Sequence, residues 1–469
     1  MYILNCKQNE GDSLPKDLRL LFAASGDIRN VVTTLAELPS SFSGKCDVVI
    51  NDMDPDIVAR NTILLLIALH YEPEQAGMMM IHLWYSALIS AEMLKSLRDN
   101  ILPLIEDVRT KIKDKPPTSL QSKKWTYGSR SLRLVLKKSE WCLLPSYFQV
   151  PSSLSATKAQ EIRISTTLAP SRKDYVDRAL YSRPPAWRVC MMKFRQNGIL
   201  LPFGLPRDEF NTPNPTFYQA DDFWPMMDSA NPVQGWPVKD WVNKAPAKKD
   251  IYGSLFIYIR KVLLRFCQRI TELDVQFQLL QVNALKLPET IKICGVGKHS
   301  FDRIEVSNIT DMAYLGPHQT LITFGPLLKI KLQNTHATLL TLFLNATHEM
   351  RMTQPAETSL ESQVNQLAQY MKPSAEMLRN ASGFSAEIIK TQEALGFFCD
   401  YDALFELFMK HYGFKNAASL SGLEMKGENT IQDNWPLRLR KGATQEEFEL
   451  LVASGHTGSE RYVEWRVAR

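Results

Sequence analysis

No apolar run in this sequence approaches the roughly 20 residues that a helix needs to cross a bilayer. The most apolar stretches, Thr62–Leu69 and Thr338–Ala346, are far shorter, which predicts a chain without a membrane span. Met1–Cys6 leads into charged residues and lacks the apolar stretch of a secretory signal. Close cysteine pairs are also missing. The seven cysteines are scattered, whereas zinc ribbons and fingers need two close pairs, so no structural zinc site is expected. An odd number of dispersed thiols fits a reducing compartment, the cytoplasm or alternatively the nucleus. Charge of one sign is scarce as well. The 55 Lys+Arg residues exceed the 50 Asp+Glu by only 5, too small an excess for a dedicated nucleic-acid binder. No Gly-x-Ser-x-Gly elbow occurs, and His348-Glu349 has no second histidine at helical spacing. Serine and zinc hydrolase chemistry therefore find no support in the sequence.

What is present points to an ordered globular chain. Hydrophobic residues make up 45% and charged residues 22% of the 469 positions, enough to bury more than one ordinary core. Two segments near the start, Leu18–Leu38 and Cys46–Leu69, each read as a buried strand, a polar turn and a helix. The first turn is Ser25-Gly26-Asp27-Ile28-Arg29-Asn30; the second is Asn51-Asp52-Met53-Asp54-Pro55. Asp54 before Pro55 is a good helix start, a capping side chain ahead of a proline at the first helical position. Two such units in succession predict half of a doubly wound α/β sheet, whose ligands sit at the carboxyl ends of the strands. Phe301–Asn308 alternates as a further strand and again ends in polar residues, Ser307, Asn308 and Asp311.

These turns hold the candidate site residues, and each has two readings. At Ser25, Gly26, Asp27, Arg29 and Asn30, backbone N–H groups and a helix N-terminus face a ligand. Alternatively Asp27 caps the helix and Arg29 pairs with an acid such as Asp52. At Asn51, Asp52 and Asp54, one acid holds ribose hydroxyls, with Asp52 the better candidate because Asp54 serves as a cap. The competing reading is structural for both. Ser307, Asn308 and Asp311, with Asp302, border the same crevice or simply form the turn. No third oxygen ligand in fixed relation indicates a metal.

Elsewhere, Thr118–Ser139 is basic and reads as a solvated face. Arg183–Pro246 is dense in proline and tryptophan, which excludes long regular elements yet favours packed structure. It could form a lid, a partner surface or ordinary packing. Ile251–Leu287 has helical spacing, Thr320–Lys331 fits a strand or a loop, and Gln354–Arg469 reads as mainly helical. Thr444–Glu447 has capping-box spacing. The expected organisation is a Rossmann-like core from residues 1–95 and 290–350. An inserted region at 96–289 and a helical region at 351–469 would pack on it.

Leu20–Leu38, with Asn-Asp-Met-Asp-Pro and Ala59-Arg60-Asn61, resembles the N-terminal domain shared by dynein axonemal assembly factors. It also resembles a large fungal family of unknown function that often carries a MYND zinc finger, absent here. Leu200–Gly204, Asn214–Phe217, Leu342–Ala346 and Glu460–Trp465 extend the fungal likeness. The same turns look like a weakened class I methyltransferase, with Gly26, Asp52 or Asp54, and Ser307-Asn308 in the cofactor positions. The three-glycine turn is reduced to one glycine. These resemblances imply a non-catalytic interaction or assembly protein with a protein partner. The alternative is an atypical methyltransferase using S-adenosylmethionine.

Overall fold

The computed structural model describes residues 9–10, 14–353, 360–372 and 385–468. Cys6, and parts of the 1–95 and 351–469 stretches, lie outside the described residues. The chain is mixed α/β, built on a large, mostly parallel sheet.

The apolar run Leu18–Phe22 forms β1, and every residue in it except Arg19 is buried. Leu20 and Phe22 face one hydrophobic core while Leu21 faces a second on the opposite side. A run without alternation is what a strand covered on both faces requires. After the first turn comes α1 (Arg29–Ala36), then β2 (Lys45–Asp52), α2 (Pro55–His70) and α3 (Pro73–Tyr85). The Asp54 side chain caps α2 by accepting from the Asp56 and Ile57 amides, with Pro55 in the first turn, as the sequence predicts. Two short strands, β3 (Leu88–Ile89) and β6 (Thr212–Pro213), pair separately.

The remaining strands are β4 (Leu120–Tyr127), β5 (Arg130–Lys137), β7 (Asp274–Gln281), β8 (Arg303–Glu305), β9 (Thr338–Phe343), β10 (Leu423–Met425) and β11 (Arg461–Val467). With β1 and β2 they form nine strands in the order β10-β11-β9-β8-β1-β2-β7-β5-β4. The six from β9 to β5 are parallel. β11 runs antiparallel to β9 and β10, and β4 antiparallel to β5. Helices cover both faces. α1, α2, α3 and the helix Ile251–Glu272 bury one side, and the helices Gly316–Phe324, Tyr401–His411 and Phe414–Ser421 bury the other.

The sheet is wider than the sequence predicts. Strands β4, β5 and β7 come from the 96–289 stretch and β10 and β11 from 351–469, not only from 1–95 and 290–350. The predicted helical spacing of Ile251–Leu287 ends at Glu272, and β7 follows after Leu273. The basic Thr118–Ser139 stretch is the β4–β5 hairpin at the sheet edge. Within Thr320–Lys331 the regular elements are the end of the helix Gly316–Phe324 and the 3-10 turn Gly325–Leu327, neither strand nor simple loop. In Arg183–Pro246, Trp224, Trp236 and Trp241 are buried, and only the helix Pro185–Asn197 is long. The Thr444–Glu447 capping box forms as predicted.

A buried carboxylate fastens the β11 edge. Glu464 accepts the backbone N–H groups of Thr430 (3.0 Å), Ile431 (2.7 Å) and Gln432 (2.9 Å), and the Lys426 ammonium at 2.9 Å. No helix among the described residues is long and apolar enough to cross a membrane.

Candidate functional site

The chain leaves β1 for β2 on one side and receives β8 on the other, so a crevice opens at the carboxyl ends of β1 and β8. The first turn crosses this crevice with its polar groups already engaged. The Ala23 amide donates to the Glu305 carbonyl at 2.8 Å, and the Ser25 amide to the Asn51 carbonyl at 2.9 Å. Gly26 adopts φ +56°, a conformation that favours glycine. Its N–H donates to Asp52 Oδ2 at 2.8 Å, and its carbonyl accepts from Asn61 Nδ2 at 3.0 Å.

The second turn is equally committed. Asn51 is buried; its amide donates to the Ala23 carbonyl (2.9 Å) and the Val282 carbonyl (3.0 Å) and accepts the Val282 N–H (3.1 Å). It ties β1 and β2 to the residue after β7. Asp52 also accepts the Asp54 amide through Oδ1 at 3.0 Å. Burial raises the Asp52 pKa, while the Asp54 and Gly26 amides oppose that rise.

Arg29 pairs with Asp27, not with Asp52. Nε lies 2.7 Å from Asp27 Oδ2, and Nη1 donates to the Gly235 carbonyl of the Pro/Trp-rich segment. A Cβ at Gly235 would collide with that guanidinium, so glycine there permits the close approach. Asp27 Oδ1 additionally accepts the Arg29 amide at 2.9 Å, but Asp27 is not the helix cap that the sequence predicts: Ile28 holds the N-cap position of α1, without a side-chain cap.

The third turn divides in two. Ser307, at φ +52°, faces the crevice. Asp311 is fully buried and accepts from the Leu344 and Asn345 amides at 3.1 and 3.2 Å and from the Asn308 side chain at 3.3 Å. Asn308 and Asp311 therefore clamp the loop after β9. Burial raises the Asp311 pKa against those donors. Asp302 stands at the other end of β8, held by Lys329 at 2.8 Å and the Arg19 amide at 2.8 Å, and does not border the crevice.

A cavity of about 820 Å³ occupies the crevice on the β8 and β9 side. Ser25, Asp27, Arg29, Asn30 and Ser307 line it; Gly26, Asn51, Asp52, Asp54, Asn308 and Asp311 do not. The structure adds a residue that the motif reading passes over. Glu305, last in β8, is only 3% exposed, lines the cavity and accepts the Ser307 amide at 2.7 Å through Oε1. Its Oε2 is buried without a hydrogen-bond partner among the described residues. Burial pushes its pKa up to about 7, despite the Ser307 amide and the Asn30 side chain. The available signal was compositional. Asp302, Arg303 and Glu305 are three charges in or beside one fully buried strand, and such charges are rare there without a task. Two of them are matched, Asp302 by Lys329 and Arg303 by Glu10.

Among the described residues no group of three or more His, Cys, Asp or Glu is placed to hold a metal ion. No curated protein and no solved structure matches the chain. Residues 1–89, which carry β1, α1, β2, α2 and α3, match the family model described as a domain of unknown function (DUF4470).

Proposed function

We propose that this chain is a non-catalytic interaction protein on a methyltransferase-like sheet, as its resemblance to the dynein assembly factor N-terminal domain implies. With β5 set aside, a parallel strand that comes before β7 in the chain and pairs on its far side, the run β7-β2-β1-β8-β9 follows the 3-2-1-4-5 order of a doubly wound sheet, which supports the Rossmann-like reading. One observation carries the non-catalytic part: Asp52, the acid that would hold a ribose, accepts the Gly26 N–H that would approach the cofactor. Donor and acceptor satisfy each other. A cofactor would have to break that bond and the Asp52–Asp54 bond before gaining its own.

The alternative, an atypical S-adenosylmethionine-dependent methyltransferase, draws on one feature. A Cβ at Gly26 would meet nothing within 4 Å, so space above the turn is open. Thermal melts with S-adenosylmethionine and S-adenosylhomocysteine at millimolar concentration separate the readings. A ligand at 100 times its Kd stabilises a fold by about 2.7 kcal/mol. The expected outcome is an unchanged melting temperature with either compound. A shift with either one, kept in a variant remote from the turn and abolished in Asp52→Asn, supports the methyltransferase reading instead.

A further inference from the structure

The cavity beside the first turn sorts its charges by wall. Arg29 is neutralised by Asp27, and Arg265 by Glu37 at 2.9 Å. The cations left over, Lys239, Lys244 and Lys261, all lie on the outer wall, in or near the helices Val238–Trp241 and Ile251–Glu272. None of the three forms a salt bridge among the described residues, and all are exposed. Asp240 sits beside them, attracted to Lys244 and hydrogen-bonded to Tyr258, and Glu447 is attracted to Lys239, so Lys261 is the least matched of the three. The sheet wall is the opposite. It carries Glu305, with its orphaned Oε2, and Glu460 just before β11. Buried polar atoms in folded chains are almost always satisfied, and this orphan belongs to a side chain that lines the cavity, where a ligand could supply the partner. Flat and apolar side chains also line the cavity, among them Trp236, Pro237, Leu344 and Pro436.

We infer that this cavity binds a nucleoside phosphate, its base or ribose donating hydrogen bonds to Glu305 and its phosphates meeting Lys239, Lys244 and Lys261. The three parts of that ligand match the three surfaces. Exocyclic amino and hydroxyl groups are uncharged donors, suited to a carboxyl group whose own charge burial disfavours. A planar base packs against the apolar side chains, and phosphate is the anion that clustered lysines take. About 820 Å³ lies within the size range of small-molecule sites. The Gly26–Asp52 turn lines none of it, so the inference holds whether or not S-adenosylmethionine binds.

The test is equilibrium binding of ATP, GTP, ADP and AMP to the full chain, read by fluorescence of their N-methylanthraniloyl derivatives. Inorganic phosphate and the unphosphorylated nucleosides serve as competitors. At least one nucleotide is expected to bind, and neither phosphate alone nor a nucleoside alone should displace it efficiently. Lys244→Ala combined with Lys261→Ala, both at exposed positions that leave the fold intact, should weaken binding by about tenfold or more. Glu305→Gln should weaken it separately, because the replacement amide presents donors where an acceptor is needed. Failure of all four nucleotides to bind overturns the inference. So does displacement by inorganic phosphate as readily as by nucleotide, or wild-type affinity in the double lysine variant.

Discussion

Gly26 and Asp52 are 26 positions apart and are joined by a 2.8 Å hydrogen bond from the glycine amide to carboxylate Oδ2. The bond closes the first strand–turn–helix unit onto the second. The other carboxylate oxygen holds the Asp54 amide, and Asp54 in turn caps α2. One side chain therefore sets the geometry of both turns at the head of the sheet.

Replacing Asp52 by alanine should cost stability even if the protein binds no cofactor. Two backbone amides lose their acceptor, and such losses cost about 1–3 kcal/mol. Urea denaturation would read the change, and Asp52→Asn, which keeps one acceptor oxygen, should recover part of it. A variant with alanine at this position and wild-type stability would remove Asp52 from its structural role.

Glu305 predicts a pH dependence of defined sign. Its carboxyl titrates near 4.5 when exposed and is pushed up to about 7 in the fold, so the folded state favours the protonated form. The stability this lends is full below the unfolded value and is lost as pH rises through about 7. Glu305→Gln cannot lose it, and its oxygen still accepts the Ser307 amide. The variant should therefore gain on wild type between pH 4 and pH 8 by on the order of 3 kcal/mol. A stability difference that stays flat across that interval would contradict the dominance of burial over the Ser307 and Asn30 donors at this side chain.

Glu464 predicts the opposite slope. Burial works against its charge, but Lys426 and three backbone amides prevail and hold its pKa below the ordinary carboxylate value. Its contribution is present above the unfolded value and is lost as pH falls through the folded one. Glu464→Ala strands Lys426 with its ammonium largely buried, at a cost of about 3–5 kcal/mol. Calorimetry should show the melting temperature fall accordingly, and a change within error would show that the carboxylate does not fasten the edge.

The parts of this fold that could be read from the sequence are those where one local signal suffices. Leu18–Phe22 is too apolar to be anything but buried, and Asp54-Pro55 marks a helix start wherever it occurs. β7 carried no such mark. It follows the helix Ile251–Glu272 across a single residue, and its DVQFQLLQ pattern reads as one more stretch of the same helical spacing. The β4–β5 hairpin was masked by Lys123, Lys124, Arg130 and Arg133, which lie on the sheet edge where Lys124 reaches Gln276 at 2.8 Å. At the site, the residue types in the turns were right to draw notice, yet the sequence cannot tell a side chain facing a cavity from one bonded to a neighbouring turn. Asp52 and Asp311 are of the second kind. Glu305 escaped because its significance lies in what fails to touch it, a property that exists only after folding.

The interleaved strand order also constrains how the chain can acquire its shape on the ribosome. β2 is finished at residue 52, but β7, which covers its free side, is not made until residues 274–281. β9 likewise waits for residues 461–467 before β11 shields it. Throughout elongation the nascent polypeptide carries bare strand flanks of the kind that template aggregation. Such a protein should lean on chaperones during synthesis far more than its finished, well-covered interior would suggest.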